Sequence, residues 1–205
     1  MGRHIQPVCK LCRREGAKLF LKGEKCFTEK CPVKRRAYPP GQHGKIKPRV
    51  SEYRIRLREK QKARRIYGLG ENQFANYFER ASTMKGATGE KLLEFLERRL
   101  DNVVYRLGFA TSRQASRQII RNGGVVVNGR KVNVPSFEVK AGDMISIAPR
   151  MVKLAKDSLE KFPDRVLPVW LALTGEVEGK VAAIPKREDI DAILEENLIV
   201  EYYSR

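Results

Sequence analysis

Four cysteines constrain the fold of this chain more than any other feature, because all of them lie between residues 9 and 31. They form two close pairs, Cys9-x-x-Cys12 and Cys26-x4-Cys31, separated by a short basic loop. This spacing lets four thiolates surround one tetrahedral ion, so it predicts a structural zinc knuckle with no open position for chemistry. Four cysteines can also hold an iron–sulfur cluster. Disulfides and a redox pair are the remaining alternatives.

The chain carries no signal for secretion or membrane insertion. Its N-terminus is polar and basic, and no apolar stretch approaches the roughly 20 residues that a membrane-spanning helix needs. We therefore expect a cytoplasmic protein with no membrane partner. Cysteines stay reduced in the cytoplasm, which favours a metal over disulfides. The lysines and arginines around the cysteines are expected to favour thiolate over thiol.

The positive charge of the chain is strongly one-sided. The formal net charge is +18, from 42 Lys and Arg against 24 Asp and Glu. Met1 to Tyr67 holds 21 basic and 5 acidic residues, whereas Gly68 to Arg205 holds 21 basic and 19 acidic residues. Such an excess would destabilise a compact protein unless a polyanion neutralised it. The pattern indicates a basic arm that binds nucleic-acid phosphates, joined to a more ordinary globular body.

A connector rich in Pro, Gly and basic residues leads from the last cysteine into a predicted helix. The connector reads "PVKRRAYPPGQHGKIKPRV", which cannot continue a helix. The helix lies in "VSEYRIRLREKQKARRIYG", with Ser51 as N-cap and Gly68 at its end. Basic residues recur on one side at intervals of three or four, and we expect this stripe to contact phosphates. They are Arg54, Arg58, Lys62 and Arg65.

Two apolar patterns between residues 71 and 108 have helical spacing. The first, in "ENQFANYFERASTMKG", predicts a helix whose apolar stripe lies in the core. The second predicts one amphipathic helix that runs from Glu90 to Gly108. The residues of the first stripe are Phe74, Tyr77, Phe78, Ala81 and Met84.

The stretch after residue 110 predicts a third helix with a basic outer face. Thr111 and Gln114 fit a capping box, and Gly123-Gly124 ends the helix. Arginines at four-residue steps form the face that we expect to point outward. They are Arg113, Arg117 and Arg121.

A small antiparallel sheet is predicted directly after this helix. Val125 to Val127 reads as a strand, and Asn128-Gly129 is typical of a type I′ hairpin turn. Further short strands are expected at Phe137 to Lys140 and Met144 to Ile147. The predicted fold class is α+β, mainly helical, in which two helices and the small sheet form an L-shaped unit.

The chain resembles a known family along its whole length. "LERRLDNVVYRLGFATSRQASRQIIRNGGVVVNGRKV" is similar to the small RNA-binding module of the S-four type, which also occurs in pseudouridine synthases and tyrosyl-tRNA synthetases. The segments "MGRHIQPVCKLCRREG", "PPGQHG", "LREKQKARRIYG" and "LIVEYYSR" resemble the S-four family of ribosomal proteins of the bacterial small subunit. Because all four cysteines are present, the chain resembles the metal-binding branch of that family.

The resemblance implies that the L-shaped module is inserted in a mainly helical domain. We therefore predict three parts. Residues 1–45 form the basic metal-knuckle extension and linker. Residues 46–95 and 183–205 together form a helical rRNA-binding domain, and residues 96–182 form the S-four-type module.

The same resemblance implies a role in the ribosome. Family members are structural constituents of the small subunit that bind a multi-helix junction in the 5′ domain of 16S rRNA and nucleate 30S assembly. They also contact ribosomal protein S-five and the mRNA, and they contribute to translational accuracy. Basic residues shortly after "GQHG" serve the mRNA contact in the family, and they match Lys47 and Arg49 here, whereas Ile46 departs from a position that is often basic.

The predicted RNA-binding residues are spread over the knuckle, the connector, two helices and the hairpin. The mechanism that we expect is recognition of RNA shape, in which these side chains hold phosphates of several RNA helices at once. The residues are Arg3, Lys10, Arg13, Arg14, Lys34, Arg35, Arg36, Lys45, Lys47, Arg49, Arg54, Arg58, Lys62, Arg65, Arg113, Arg117, Arg121, Asn128, Arg130 and Lys131.

An RNA-modifying enzyme with the same module is the main alternative. "RLD" at Arg99 to Asp101 superficially resembles the catalytic aspartate motif of pseudouridine synthases. In those enzymes a large catalytic domain follows the module, whereas only residues 151–205 remain after Arg150 here. The sequence contains no nucleophile–base arrangement and no phosphate-binding glycine loop. We therefore predict no enzymatic activity and no small-molecule substrate. A zinc-knuckle transcription factor is a second alternative, but the spread of basic surfaces fits folded RNA better than duplex DNA.

Overall fold

One of the two helix N-caps expected from the sequence is formed in the computed structural model, which describes residues 7–46, 49–163, 165–191 and 193–204. The Ser51 hydroxyl accepts a hydrogen bond from the backbone N–H of Arg54 at 3.3 Å, as predicted for an N-cap. The arginine-rich module helix is capped one residue later than expected. Ser112, and not Thr111, accepts from the backbone N–H of Ala115 at 3.2 Å.

Helices dominate the described part of the chain, with one small antiparallel sheet, which agrees with the predicted mainly helical α+β class. The helices are α1 (Cys9–Glu15), α2 (Pro32–Arg35), α3 (Glu52–Ile66), α4 (Glu71–Ser82), α5 (Thr88–Glu97), α6 (Leu100–Arg106), α7 (Arg113–Arg121), α8 (Val152–Glu160) and α9 (Glu196–Tyr203). The strands are β1 (Val125–Val127), β2 (Arg130–Val132), β3 (Met144–Ile147), β4 (Leu171–Gly175) and β5 (Glu178–Val181). Short 3-10 turns lie at Gly23–Cys26, Pro149–Met151 and Arg187–Asp189.

The chain divides into two units. Unit 1 comprises Met1–Gly89 and Ala192–Arg205, and unit 2 comprises Glu90–Asp191. Unit 2 is thus a continuous segment inserted in a discontinuous unit. The predicted limits of the inserted module, residues 96–182, stay a prediction. The knuckle and the helical domain lie in the same unit, and their separation into two domains stays a prediction.

Unit 1 is built around α3, a helix with charged side chains on most of its surface. Lys60 on this helix is 3% exposed. Its ammonium donates to Glu71 Oε1 at 2.5 Å and lies 4.2 Å from the ring centroid of Tyr202 on α9. Tyr203 stacks on Phe78 of α4 with ring centroids 4.4 Å apart. The last helix of the chain therefore completes the interior of unit 1.

Unit 2 contains a five-stranded antiparallel sheet in the order β2-β1-β3-β5-β4. The predicted type I′ turn is formed, because Asn128 and Gly129 both have positive φ, 49° and 76°. The hairpin β4–β5 was not predicted from the sequence. The predicted strand at Phe137 to Lys140 was wrong, because this segment contributes only an isolated bridge between Glu138 and Arg99.

The apolar core of unit 2 lies between its helices and its sheet. Trp170 is 1% exposed at the start of β4, and Ile120 of α7 and Ile145 of β3 are fully buried. Val139 is also fully buried, so the segment around the isolated bridge still supplies a core side chain. This core holds α6 and α7 against the sheet and fixes the positions of the module's arginines.

The amphipathic helix predicted from Glu90 to Gly108 is broken into α5 and α6. Arg99 lies between them with an extended backbone, φ −67° and ψ 135°. Its guanidinium donates to both oxygens of Asp101, at 3.1 Å and 2.8 Å. Arg99 as a whole is 2% exposed. The break between α5 and α6 lets the buried Arg99 bind Asp101, two residues later in the chain. The apolar periodicity alone did not indicate this break.

Candidate nucleic-acid interface

The first forty-odd residues carry most of the exposed cations of the predicted interface. Arg3 and Lys47 lie outside the described residues. The other exposed predicted residues of this segment are Lys10, Arg14, Lys34, Arg35, Arg36, Lys45 and Arg49. Among the described residues from 7 to 46, Glu24 and Glu29 are the only exposed carboxylates. The segment therefore presents a strongly positive surface, as predicted.

Arg13 has a structural contact that the sequence did not suggest. Its Nε donates to the backbone carbonyls of Arg36 and Tyr38, at 3.1 Å and 3.0 Å. The guanidinium also lies over the Tyr38 ring, 4.9 Å from its centroid. These contacts fix the start of the connector against α1 and hold the neighbouring exposed arginines in place. Lys34 forms an ion pair with Glu29, and this hydrogen bond lowers the pKa of the Glu29 carboxyl.

The predicted cationic stripe on α3 is turned toward acidic side chains. Arg58 and Arg65 both pair with the Glu15 carboxylate, whose side chain is 1% exposed. Lys62 pairs with Glu59 at 3.1 Å, and Arg54 is half-buried. All four side chains are half-buried, and their contact with phosphates stays a prediction. Arg58 and Arg65 connect the cysteine-rich segment to α3 through Glu15 on α1.

Burial and ion pairing have opposite effects on the pKa values of Glu15 and its arginine partners. Burial raises the pKa of the Glu15 carboxyl, although Arg58 and Arg65 lower it. The same burial lowers the pKa of Arg65, although Glu15 raises it. Loss of hydration therefore outweighs the ion pairing for both groups.

The arginines of α7 that were expected to point outward contact α6 instead. Arg113 Nε donates to Asn102 Oδ1 at 2.8 Å, and Arg117 Nε donates to Asp101 Oδ2 at 2.6 Å. Asp101 is 2% exposed and binds two arginines. A carboxylate enclosed in this way cannot reach a substrate, which argues against the catalytic alternative. Of the three predicted α7 arginines, Arg121 is the exposed one.

The polar residues of the β1–β2 hairpin have two different roles. Asn128 Nδ2 donates to Asp143 Oδ1 at 2.8 Å, and its Oδ1 accepts from the backbone N–H of Met144 at 2.9 Å. Asn128 therefore fixes the turn to β3 and is largely used within the fold. Arg130 and Lys131 on β2 are exposed.

Sequence reasoning missed several exposed cations. Lys22 and Lys25 lie between the two cysteine pairs, and Lys30 lies within the second pair. The three lysines line an open depression with Glu24 and Thr28. The density of lysines inside the cysteine-rich segment was the available signal. Arg150, in the 3-10 turn before α8, is also exposed, and no pattern in the sequence singled it out.

The four cysteines are reduced and lie in one part of unit 1. Cys12, Cys26 and Cys31 are buried and Cys9 is half-buried. The pKa of the Cys12 thiol is raised to about 11, chiefly by burial; the backbone N–H of Leu19 lowers it and the neighbouring cysteines raise it. Burial also raises the pKa of Cys26, whose sulfur accepts from the backbone N–H of Lys22 at 3.4 Å.

These shifts contradict the expectation that nearby lysines and arginines would favour thiolates, because burial outweighs them for Cys12 and Cys26. Across the residues that the structure describes, no group of three or more His, Cys, Asp or Glu side chains is arranged to hold a metal ion. Nor is any described helix long and apolar enough to cross a membrane.

Comparison with known proteins identifies the family. The family model described as "Ribosomal protein S4/S9 N-terminal domain" matches residues 3–97, and the "S4 domain" model matches residues 98–145. The chain is 57% identical over 208 residues to "Small ribosomal subunit protein uS4" of Geobacter sp. (strain M21), with 100% of both chains covered. It is 53% identical over 206 residues to the protein of the same name from Dictyoglomus turgidum (strain DSM 6724 / Z-1310), again with 100% of both chains covered. The chain therefore belongs to the uS4 family of small ribosomal subunit proteins, whose members are structural proteins and not enzymes.

Proposed function

We propose that the protein binds 16S rRNA in the small subunit of the cytoplasmic ribosome and nucleates assembly at a multi-helix junction of the 5′ domain. Membership of the uS4 family supports the ribosomal assignment. The observation that carries the RNA-binding mechanism is the exposed cationic surface of residues 7–46, with its two exposed carboxylates. Folded RNA is the polyanion that such a surface fits best.

The internal contacts of this segment support recognition of RNA shape. Arg13 ties the connector to α1, and Glu15 ties α1 to Arg58 and Arg65 of α3. These contacts hold the backbone that carries the exposed cations against α3. A braced array of cations can hold several RNA helices at fixed relative angles, whereas an unbraced arm would bind phosphates without orienting them.

We further propose that the four cysteines bind zinc, with an iron–sulfur cluster as the alternative on the same residues. Four thiols are the donors that a structural zinc ion takes, and they are close enough to influence one another's pKa, although the described residues do not hold them in a closed metal-binding arrangement. A bound zinc ion would supply a structural link between the two cysteine pairs and no catalysis. Because burial favours the neutral thiols, metal binding would release protons.

Contacts with ribosomal protein S-five and with mRNA, and a contribution to translational accuracy, complete the proposal. Arg49 is exposed and available to an mRNA, whereas Lys47 lies outside the described residues. Ile46, which precedes both residues in the sequence, is 62% exposed. We therefore expect a weaker contribution to mRNA unwinding than in relatives with a basic residue there.

Equilibrium binding tests the proposed RNA target. The purified protein is titrated with the 5′ domain of 16S rRNA and with a large-subunit rRNA fragment of equal length, over a salt series. Contacts with about 6 to 10 phosphates would cost on the order of a thousandfold or more in affinity between 50 and 200 mM salt. We expect a preference for the 5′ domain that survives the higher salt. Equal affinity for both RNAs at every salt concentration would contradict the proposed target.

Metal analysis tests the zinc proposal. We expect one zinc ion per chain by mass spectrometry and its loss in Cys12→Ser, with increased hydrogen exchange confined to the cysteine-rich segment. The control is Thr28→Ser, between Cys26 and Cys31, and this variant should retain the metal. Visible absorption from iron would favour the cluster, and a chain that binds neither metal nor cluster would contradict the proposal.

A further inference from the structure

Two cations from different elements of unit 2 meet at the end of α7. Gly123, directly after this helix, has a φ of +65°. A Cβ atom placed on Gly123 would lie 2.7 Å from Lys131 Nζ and 3.1 Å from Arg150 Nη2. Lys131 comes from β2, and Arg150 comes from the 3-10 turn before α8. Because both nitrogens lie within 3.1 Å of one point, the ammonium and the guanidinium are neighbours.

This pair of cations has no acidic partner in the described part of the chain. Lys131 and Arg150 are both exposed, and neither side chain makes a hydrogen bond or ion pair with a described residue. Two like charges at this separation repel each other. The carbonyl end of α7 offers them only a partial negative charge. An anion between the two groups would remove the repulsion.

We propose that Lys131 and Arg150 together hold a single phosphate of the RNA backbone. The proposal rests on the RNA-binding function above and adds a defined contact to it. A guanidinium presents paired N–H donors that match phosphate oxygens, and an ammonium adds a compact charge with rotatable donors. One phosphate has enough oxygens to accept from both side chains. The contact would fix the end of α7 and the β1–β2 hairpin to the same nucleotide.

Gly123 makes the arrangement possible. Its missing side chain leaves the space across which Lys131 reaches Arg150, and an added Cβ would overlap Lys131 Cε. Gly123→Ala would therefore push the ammonium away without changing the charge of the protein. Alanine is also strained at this positive φ. The melting temperature must accordingly be measured beside the affinity.

A double-mutant cycle in the full-length protein tests the shared phosphate. The variants are Lys131→Gln, Arg150→Gln and the double variant, and the probe is the 5′ domain of 16S rRNA over a salt series. Loss of one phosphate contact lowers affinity about fivefold to tenfold near 0.1 M salt and reduces the slope of log K against log salt by about 1. We expect the double variant to lose about this much in total, so that the single effects do not add.

Two further variants complete the test. Lys140→Gln with Lys180→Gln removes the same charge from two exposed positions of unit 2 and should change affinity far less. Gly123→Ala should weaken binding about as much as Lys131→Gln. A slope reduced by about 2 with additive single effects would show two separate phosphates and overturn the proposal. An unchanged slope, or a loss equal to that of the control pair, would overturn it as well.

The two proposals fail in different ways. If the wild type bound both RNAs of the earlier experiment equally, the 5′ domain target would be wrong, and the slope of the double variant on either RNA would still decide the shared phosphate. If the wild type preferred the 5′ domain while the double variant behaved like the control pair, only the shared phosphate would be wrong.

Discussion

Units 1 and 2 both bury charged side chains, but they surround them differently. In unit 2, Asp101 is 2% exposed and binds Arg99 and Arg117 directly. In unit 1, most charges of α3 are half-exposed, and Arg56 Nη1, Gln61 Oε1 and Arg64 Nε are buried without a hydrogen-bond partner among the described residues, whereas in unit 2 Trp170 Nε1 alone is so among them. Buried polar atoms without partners cost stability. We infer that unit 2 is the more self-sufficient unit.

Arginines and lysines have two roles in both units: some stabilise the fold and others remain exposed. Cations that meet a carboxylate or a buried amide hold the fold, as Arg113 and Arg117 do in unit 2 and Arg58 and Arg65 do in unit 1. The exposed cations of the cysteine-rich segment outnumber its exposed carboxylates and remain available to RNA. Charge in the sequence therefore indicates the class of partner, whereas the position of the carboxylates decides which cations reach it.

The largest expected effect is that of Asp101→Asn in unit 2. The substitution removes the carboxylate charge that Arg99, which is 2% exposed, and Arg117 both bind. Removing one partner of a buried ion pair costs about 3–5 kcal/mol. We expect a loss of this size in the free energy of unfolding, measured by urea denaturation. Asp157→Asn, on the exposed part of α8, is the control and should change it by less than about 0.5 kcal/mol. A small loss for both variants would mean that the Asp101 cluster does not stabilise unit 2.

Tyr203→Ala in unit 1 should have the next largest effect. The substitution removes the stack on Phe78 and the hydrogen bond from the Tyr203 hydroxyl to Glu71 Oε1 at 3.3 Å. Because Tyr203 is only half-buried, we expect a loss of about 2 kcal/mol in the free energy of unfolding. Tyr203→Phe keeps the stack and should lose about 1 kcal/mol or less. Faster hydrogen exchange in α3 than in β1 to β3 would confirm that the damage stays in unit 1, and uniform loss over both units would break the comparison.

Glu15→Gln should have the smallest effect at pH 7, within about 1 kcal/mol, because burial and ion pairing nearly offset each other. The informative measurement is how the free energy of unfolding of this variant and the wild type changes with pH. The folded-state pKa of Glu15 lies above the ordinary 4.5, so its contribution to stability is fully present below pH 4.5 and is lost as the pH rises through the raised value. The free energy of unfolding of the wild type, relative to Glu15→Gln, should therefore fall as the pH rises from 4.5 toward 7. A difference that rises with pH would mean that the arginines outweigh burial.

Local signals in the sequence predicted much of the fold. Ser51 caps its helix, Asn128-Gly129 forms the expected turn, and Phe74 and Tyr77 are buried as the helical spacing indicated. Each of these predictions depends on a few neighbouring residues. Met84 was expected on the same apolar stripe but is 47% exposed, because α4 ends at Ser82.

The site was less predictable because its partners are distant in sequence. Glu15 lies 43 residues before Arg58 and 50 before Arg65, and Asp101 lies 16 before Arg117. Helical periodicity places arginines on one face but does not identify what that face meets. The Lys131–Arg150 pair likewise depends on the path of the chain past Gly123, which no local pattern records.

The most direct test of this division of cations compares two double variants with the same charge change. Arg35→Gln with Arg36→Gln removes exposed cations, and Arg113→Gln with Arg117→Gln removes cations that bind α6. Melting temperature and affinity for the 5′ domain of 16S rRNA are measured for both. We predict that the first variant keeps its melting temperature and loses about tenfold or more in affinity. The second should melt at a lower temperature and, while folded, bind RNA within about twofold of the wild type. The reverse result, stability lost in the first variant and affinity lost in the second, would contradict the account.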